Sequence, residues 1–147
     1  MTTGRTAGAI GAAFLVSQVI EVIVHGFLLG ADYEPFRGTL LRNGGWQMVF
    51  LPLVHLSYIA ALVWVYGRAV LGGGVLSQGV KLGLFAWFVG QVPLWLLWYA
   101  EQPWPGHLVV KQLVLELVSA VIIGLTIAAV GGGHRAATPD VTRSARV

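Results

Sequence analysis

Four apolar stretches, at about 7–30, 46–71, 79–100 and 107–130, dominate this chain. As helices, each meets the roughly 20 residues needed to cross a hydrocarbon core of about 30 Å. A segment surrounded by lipid must bond all of its own backbone groups, and for single spans only the α-helix does so. The sequence therefore predicts an all-α fold, a polytopic membrane protein built as an antiparallel bundle of four transmembrane helices. Composition agrees, with 56% hydrophobic and only 10% charged residues. Soluble proteins carry about 25% charged residues, and this chain has too few to cover a globular core.

The segments between the spans carry turn chemistry. The first, 32–45, holds Asp32, Glu34, Pro35, Arg37, Arg42 and an Asn-Gly-Gly run. Gly72, Gly73 and Gly74 make a short reversal, and Pro103 and Pro105 stop the third helix before the fourth begins. The first apolar run exceeds the 7–15 residues of a signal-peptide core, so it is read as a retained span. The four-helix domain covers 1–131, and 132–147, without apolar periodicity, reads as a disordered cytoplasmic tail.

Charge placement predicts orientation. Arg5, Arg68, Lys81, Arg135, Arg143 and Arg146 fall on one side, against Arg37, Arg42 and Lys111 on the other. The expectation is an inner (plasma) membrane protein with both termini in the cytoplasm. Tyr33, Trp46, Tyr99 and Trp104 stand near span ends, as an interfacial aromatic belt would. A net charge of +3 that resides mostly at the ends gives no basic stripe for nucleic acid. The absence of cysteine excludes disulfides, thiolate metal sites and a cysteine nucleophile.

Ionisable side chains within spans are expensive, at about 2.5–3.5 kcal/mol each, and usually face the bundle interior. The first helix carries Gln18, Glu21 and His25 in one stripe. The second carries Gln47, His55 and Tyr58, and the fourth carries Gln112, Glu116 and Ser119, with Lys111 beside them. On the third helix Trp87, Gln91, Trp95 and Trp98 share a face, and Pro93 predicts a kink. Depth sharpens the pattern, because alternate spans run in opposite directions. At about 1.5 Å per residue, His25 lies roughly 8 Å below the face bearing loops 1 and 3, and Glu21, His55 and Glu116 roughly 12–14 Å below it. Lys111 and Gln112 lie nearer the surface, at the mouth of the same region. The opposite half holds few polar side chains: Ser17, Gln18, Gln91 and Ser119.

The sequence thus predicts a polar intramembrane site made of Glu21, His25, His55, Tyr58, Lys111, Gln112 and Glu116, with Trp87, Trp95 and Trp98 as an aromatic face. The structural alternative is that the same groups simply join helices through hydrogen bonds. The functional reading is a site that binds a small ligand or relays protons. An accessory or assembly subunit packed on a larger membrane complex, or a self-associating chain, is the rival. A histidine-ligated cofactor, haem-like or metal, is a third reading; neither the ligand nor a metal is named by the residues. No nucleophile elbow or phosphate loop is present, so an enzyme is not the leading reading.

Two stretches, Val24-His25-Gly26 and Gln102 to Gln112 (QPWPGHLVVKQ), resemble segments of small, uncharacterised bacterial four-helix membrane proteins. That resemblance implies a four-span fold and brings no activity with it. The small multidrug-resistance transporters share four helices and a first-helix glutamate, but the residues around Glu21 differ from theirs.

Overall fold

The structure, a computed structural model, describes residues 1–42, 44–69 and 71–132. Its named elements are all helical. Four helices are long and apolar enough to cross a membrane: Thr3–Leu28, Trp46–Tyr66, Val75–Glu101 and Gly106–Gly131. The protein is an all-α, four-helix membrane bundle, as its apolar pattern predicts. Outward-facing Leu, Val, Ile and Phe side chains along every span form the surface that lipid would cover.

The span boundaries move by a few residues. The second span stops at Tyr66, short of the expected 71, and the third starts at Val75, ahead of the expected 79. The reversal between them turns on Gly72 (φ 57°) and Gly73 (φ 87°), values that side-chain-bearing residues rarely adopt. Gly132, with φ 82°, ends the fourth span, and its N–H bonds the Ala128 carbonyl. The tail expected at 132–147 lies, from residue 133, outside the described residues.

Two spans contain a wider π turn. In the first, Val22–Leu28 is π-helical and the Leu29 N–H bonds the Val24 carbonyl, five residues back, at 2.8 Å. In the third, Trp87–Gln91 is π-helical and the Val92 N–H reaches back to Trp87. Pro93 lacks an N–H and its ring crowds the carbonyl four residues earlier, and the wider turn just before it relieves both problems. The kink expected at Pro93 takes this form.

The helices do not pack as a ring of equal neighbours. The third and fourth spans make the most intimate pair, followed by the first and fourth, then the first and second. The backbones of the second and third stay apart, although these spans are consecutive in the chain. Side-chain size explains this. Gly79 and Gly83 lie against the fourth span, where a Cβ on Gly83 would come 2.5 Å from Val121 Cα and one on Gly79 2.6 Å from Leu125 Cα. Gly124 meets the same two glycines from the other side. This is the small-xxx-small contact that lets membrane helices approach. Between the second and third spans stand Tyr58 and Tyr66 instead, whose hydroxyls donate to the Ala86 carbonyl (2.7 Å) and to Gln78 Oε1 (2.8 Å).

On the first helix the buried small residues are Ala9, Ala13 and Ser17, one every four positions. Gly8 and Gly11 are both exposed: a Cβ on Gly8 would meet Val130 Cγ1 at 3.5 Å, and one on Gly11 nothing within 4 Å. Gly90 makes room for the Tyr58 hydroxyl.

Two apolar cores result. One joins Ala9, Ala13, Ile59, Leu62, Val63, Tyr66, Leu82, Ala86, Ile127 and Ala128. The other, toward loops 1 and 3, joins Val24, Leu29, Tyr33, Trp95, Trp104, Leu108 and Val109. Between them lies a polar layer: Ser17, Gln18 and Glu21 fall between the two cores along the first span, and Gln112, Glu116 and Ser119 along the fourth.

Candidate functional site

Three helices deliver the ionisable residues of that layer to one place. His25 stands in the π segment, one α-type turn after Glu21, and its Nε2 lies 3.1 Å from Glu21 Oε2. The same nitrogen lies 3.5 Å from Glu116 Oε1 on the fourth span. Glu21 offers its other oxygen, Oε1, to His55 Nε2 of the second span at 3.6 Å. The four residues singled out on depth and helical spacing thus share one network, with Glu21 at its centre.

Each histidine is also held at its far nitrogen. Gln18 Nε2 lies 3.1 Å from His55 Nδ1 and can donate to it, which places the His55 proton on Nε2, facing Glu21. The Tyr33 hydroxyl lies 2.9 Å from His25 Nδ1, and the two rings stack at 5.8 Å with an interplanar angle of 11°. Tyr33 lies outside the spans. Burial pushes its phenol well above the usual range, and the negative charges of Glu116, Glu21 and Asp32 act in the same direction. It therefore keeps its hydroxyl proton and serves His25 as either donor or acceptor.

Tyr33 belongs to a cap that the sequence reading does not contain. Residues 32–45 are expected there only as a turn segment. In the structure a short helix, Gly30–Tyr33, and a 3-10 turn, Glu34–Phe36, fold back over the bundle. Tyr33 and Phe36 meet Trp104 of loop 3 at 6.5 and 5.2 Å, and Trp104 meets Trp95 at 6.1 Å. Tyr33 and Trp104, expected at the interface with lipid headgroups, are buried in this cap. Lys111 fastens it from the fourth span, forming an ion pair with Asp32 and donating to the Leu28 carbonyl at 3.4 Å.

The remaining predicted residues divide. Lys111 is half-exposed and turned to Asp32, so it anchors the cap and is not bonded to the histidine–glutamate network. Gln112, expected at the mouth, is completely buried, and neither its Nε2 nor its Oε1 has a hydrogen-bond partner among the described residues. Tyr58 lines the site and is tied to the third span through Ala86. Of the tryptophans, Trp87 donates to the Leu113 carbonyl of the fourth span at 2.9 Å, Trp95 is buried in the core that includes Leu108 and Val109 of that span, and Trp98 is exposed. Trp95 and Trp98 remain in edge contact at 5.1 Å.

Below the network is a cavity of about 40 Å³, lined by Ser17, Glu21, His55, Tyr58, Gln91, Glu116, Ser119 and three isoleucines. A water needs about 10–15 Å³ of such space, so the cavity has room for about three or four waters or one small ion, and it is smaller than a tetrapyrrole or quinone ring. His25 and His55 moreover both turn toward Glu21 and do not face each other across an open slot. The arrangement suits hydrophilic species of atomic size. Comparison with family models, with curated proteins and with solved structures finds no match to this chain.

Proposed function

We propose that this protein holds a small cationic ligand within the membrane, at the layer formed by Glu21, His25, His55 and Glu116. One observation carries the reading. Two carboxylates and two imidazoles from three helices meet at 3.1–3.6 Å around a cavity of ionic dimensions. Groups that serve only to join helices need one partner each. Here Glu21 has two and His25 three, and a network of this kind at membrane depth commonly marks an ion or proton path. The aromatic cap and the Lys111–Asp32 pair close the site toward loops 1 and 3.

The test is thermal unfolding of the protein in mild detergent over a series of small cations, from protons and Na⁺ to divalent ions. A cation-dependent rise in melting temperature, lost in Glu21→Gln and Glu116→Gln, is the expected result. A melting temperature indifferent to all of them overturns the reading.

The lysine and arginine distribution favours an inner (plasma) membrane protein with both termini in the cytoplasm. A reporter fused to the C terminus, active only outside the cytoplasm, should stay silent. A second reading, a subunit of a larger membrane assembly or of a self-associated form, rests on the open flank of the network. The side chains of Glu21, His25 and His55 keep 32%, 30% and 27% exposure at a depth where lipid would be a poor neighbour. In that case the purified chain should run as part of a larger complex, with those side chains at the contact.

A further inference from the structure

We propose that the cation is a divalent first-row transition metal ion, bound by Glu21, His25 and Glu116, with His55 positioning the Glu21 carboxylate. This deepens the reading above and rests on it. Around a four-coordinate ion with bonds of about 2.0–2.1 Å, neighbouring donor atoms stand about 3.3–3.4 Å apart. The His25 Nε2 distances to Glu21 and Glu116, 3.1 and 3.5 Å, bracket that edge length. One donor atom from each of the three residues lies within 4.8 Å of the other two, so a single ion reaches all three after small side-chain rotations. Three protein ligands with a fourth position open to water are the pattern of exchangeable metal sites. Here Glu21 and Glu116 also line the cavity that would supply that water.

The surroundings match what such ligands require. A ligating histidine is usually fixed through its other nitrogen, and a ligating carboxylate through its second oxygen. The Tyr33 hydroxyl can accept from His25 Nδ1–H, which leaves the Nε2 lone pair free. His55 Nε2, its proton placed by Gln18, faces the Glu21 oxygen that the ion does not use. Charge points the same way. Two carboxylates this close in a low-dielectric layer repel each other, and a divalent cation neutralises the pair. Gln112, one helical turn from Glu116 on the same helix, is fully buried with both amide atoms unpartnered among the described residues, a costly arrangement. Mixed imidazole and carboxylate donors suit ions such as Zn²⁺, Fe²⁺ and Mn²⁺ better than Na⁺ or Ca²⁺.

The experiment uses the full chain, purified in mild detergent on a tag without histidines, stripped with chelator and titrated with Zn²⁺ and Co²⁺. Wild type should retain about one Zn²⁺ per chain after desalting, and Co²⁺ should give the visible absorption of a four-coordinate ion. Glu116→Gln and His25→Gln, checked for folding by their elution profile, should lose that retention, and Tyr33→Phe should weaken binding about tenfold. Wild type that keeps no Zn²⁺, or Glu116→Gln that binds as wild type does, overturns the metal. The melting series separates the two levels. A shift with protons or Na⁺ but none with Zn²⁺ or Co²⁺ removes the metal and leaves the cation site standing. No shift with any cation removes both.

Discussion

The two apolar cores hold helices together by opposite means. In the core near the termini, backbones touch: Gly79, Gly83 and Gly124 bring the third and fourth spans into direct backbone contact, and Ala9, Ala13 and Ser17 thin the first. In the core near loops 1 and 3, large rings fill the space: Tyr33 and Trp95 make T-shaped contacts with Trp104, and Phe36 meets it at a tilt. Close backbone contact tolerates almost no displacement. The folded-back loop carrying Tyr33 and Phe36 is instead tied down by the Lys111–Asp32 ion pair and by the Tyr33 hydroxyl on His25. The polar layer lies where the first kind of packing gives way to the second. Its polar groups therefore stand between a floor of touching backbones and a cap of packed rings.

If the floor is rigid because of glycine, filling it should produce the largest effect in the molecule. Gly83→Leu places a side chain where a Cβ alone meets Val121 Cα at 2.5 Å. Backbone cannot yield there as a flexible side chain would. The loss should reach or exceed the upper end of the ~1–3 kcal/mol typical of overpacking. Reversible unfolding in mixed micelles measures it, and a loss under 1 kcal/mol would mean the two cores do not differ in this way. Tyr66→Phe should come next. It removes the buried hydroxyl that donates to Gln78 Oε1 at 2.8 Å across the wider gap between the second and third spans. About 1–2 kcal/mol is expected in the same assay, since a buried polar partner loses a bond.

The convergence of Glu21, His25, His55 and Glu116 was legible because depth in a span follows from residue count and alternate spans reverse direction. What surrounds them was not. A helical wheel at fixed angle cannot represent the π turns at 22–28 and 87–91. Tyr33 reads as a belt residue until the loop folds back. That fold depends on Trp104 and Lys111, more than seventy positions away. Gly79 and Gly124 look like ordinary helix glycines, because close approach is a property of a pair and the sequence displays one helix at a time. Gln78, one residue before the expected start of the third span, lies in the first turn of a helix and is buried against Tyr66, with its Nε2 donating to the Gly73 carbonyl. For Lys111 and Gln112 depth was informative but rotation was not: adjacent residues point about 100° apart, so one reaches Asp32 and the other the interior.

A glycine outside both cores calibrates the comparison. Gly11 is exposed, with no atom within 4 Å of a Cβ position, so Gly11→Ala meets nothing and gains helix propensity. The expected change is a stabilisation of up to about 0.5–1 kcal/mol, opposite in sign to Gly83→Leu. Destabilisation by Gly11→Ala would show that the first helix presents that face to a partner, which favours the assembly reading over a lone bundle.

The smallest effect on stability should come from the residue that matters most to the site. Glu116→Gln keeps the shape of a side chain that is only 13% exposed and removes a charge from the polar layer. In the absence of cation, the carboxylate sits in a low-dielectric layer near a second carboxylate, and its loss relieves repulsion and desolvation together. Against that stands one contact to His25 at 3.5 Å, long for a hydrogen bond. The two should nearly cancel, leaving the stripped variant within about 0.5 kcal/mol of wild type, or slightly more stable. Measured with Zn²⁺ present at free concentration c, wild type should rise above the variant by RT ln(1 + c/Kd), a gap that grows with ion concentration. A gap that appears only with the ion identifies a group kept for binding. An equal loss with and without the ion would make Glu116 a structural strut, and the polar layer an extension of the rigid core beneath it.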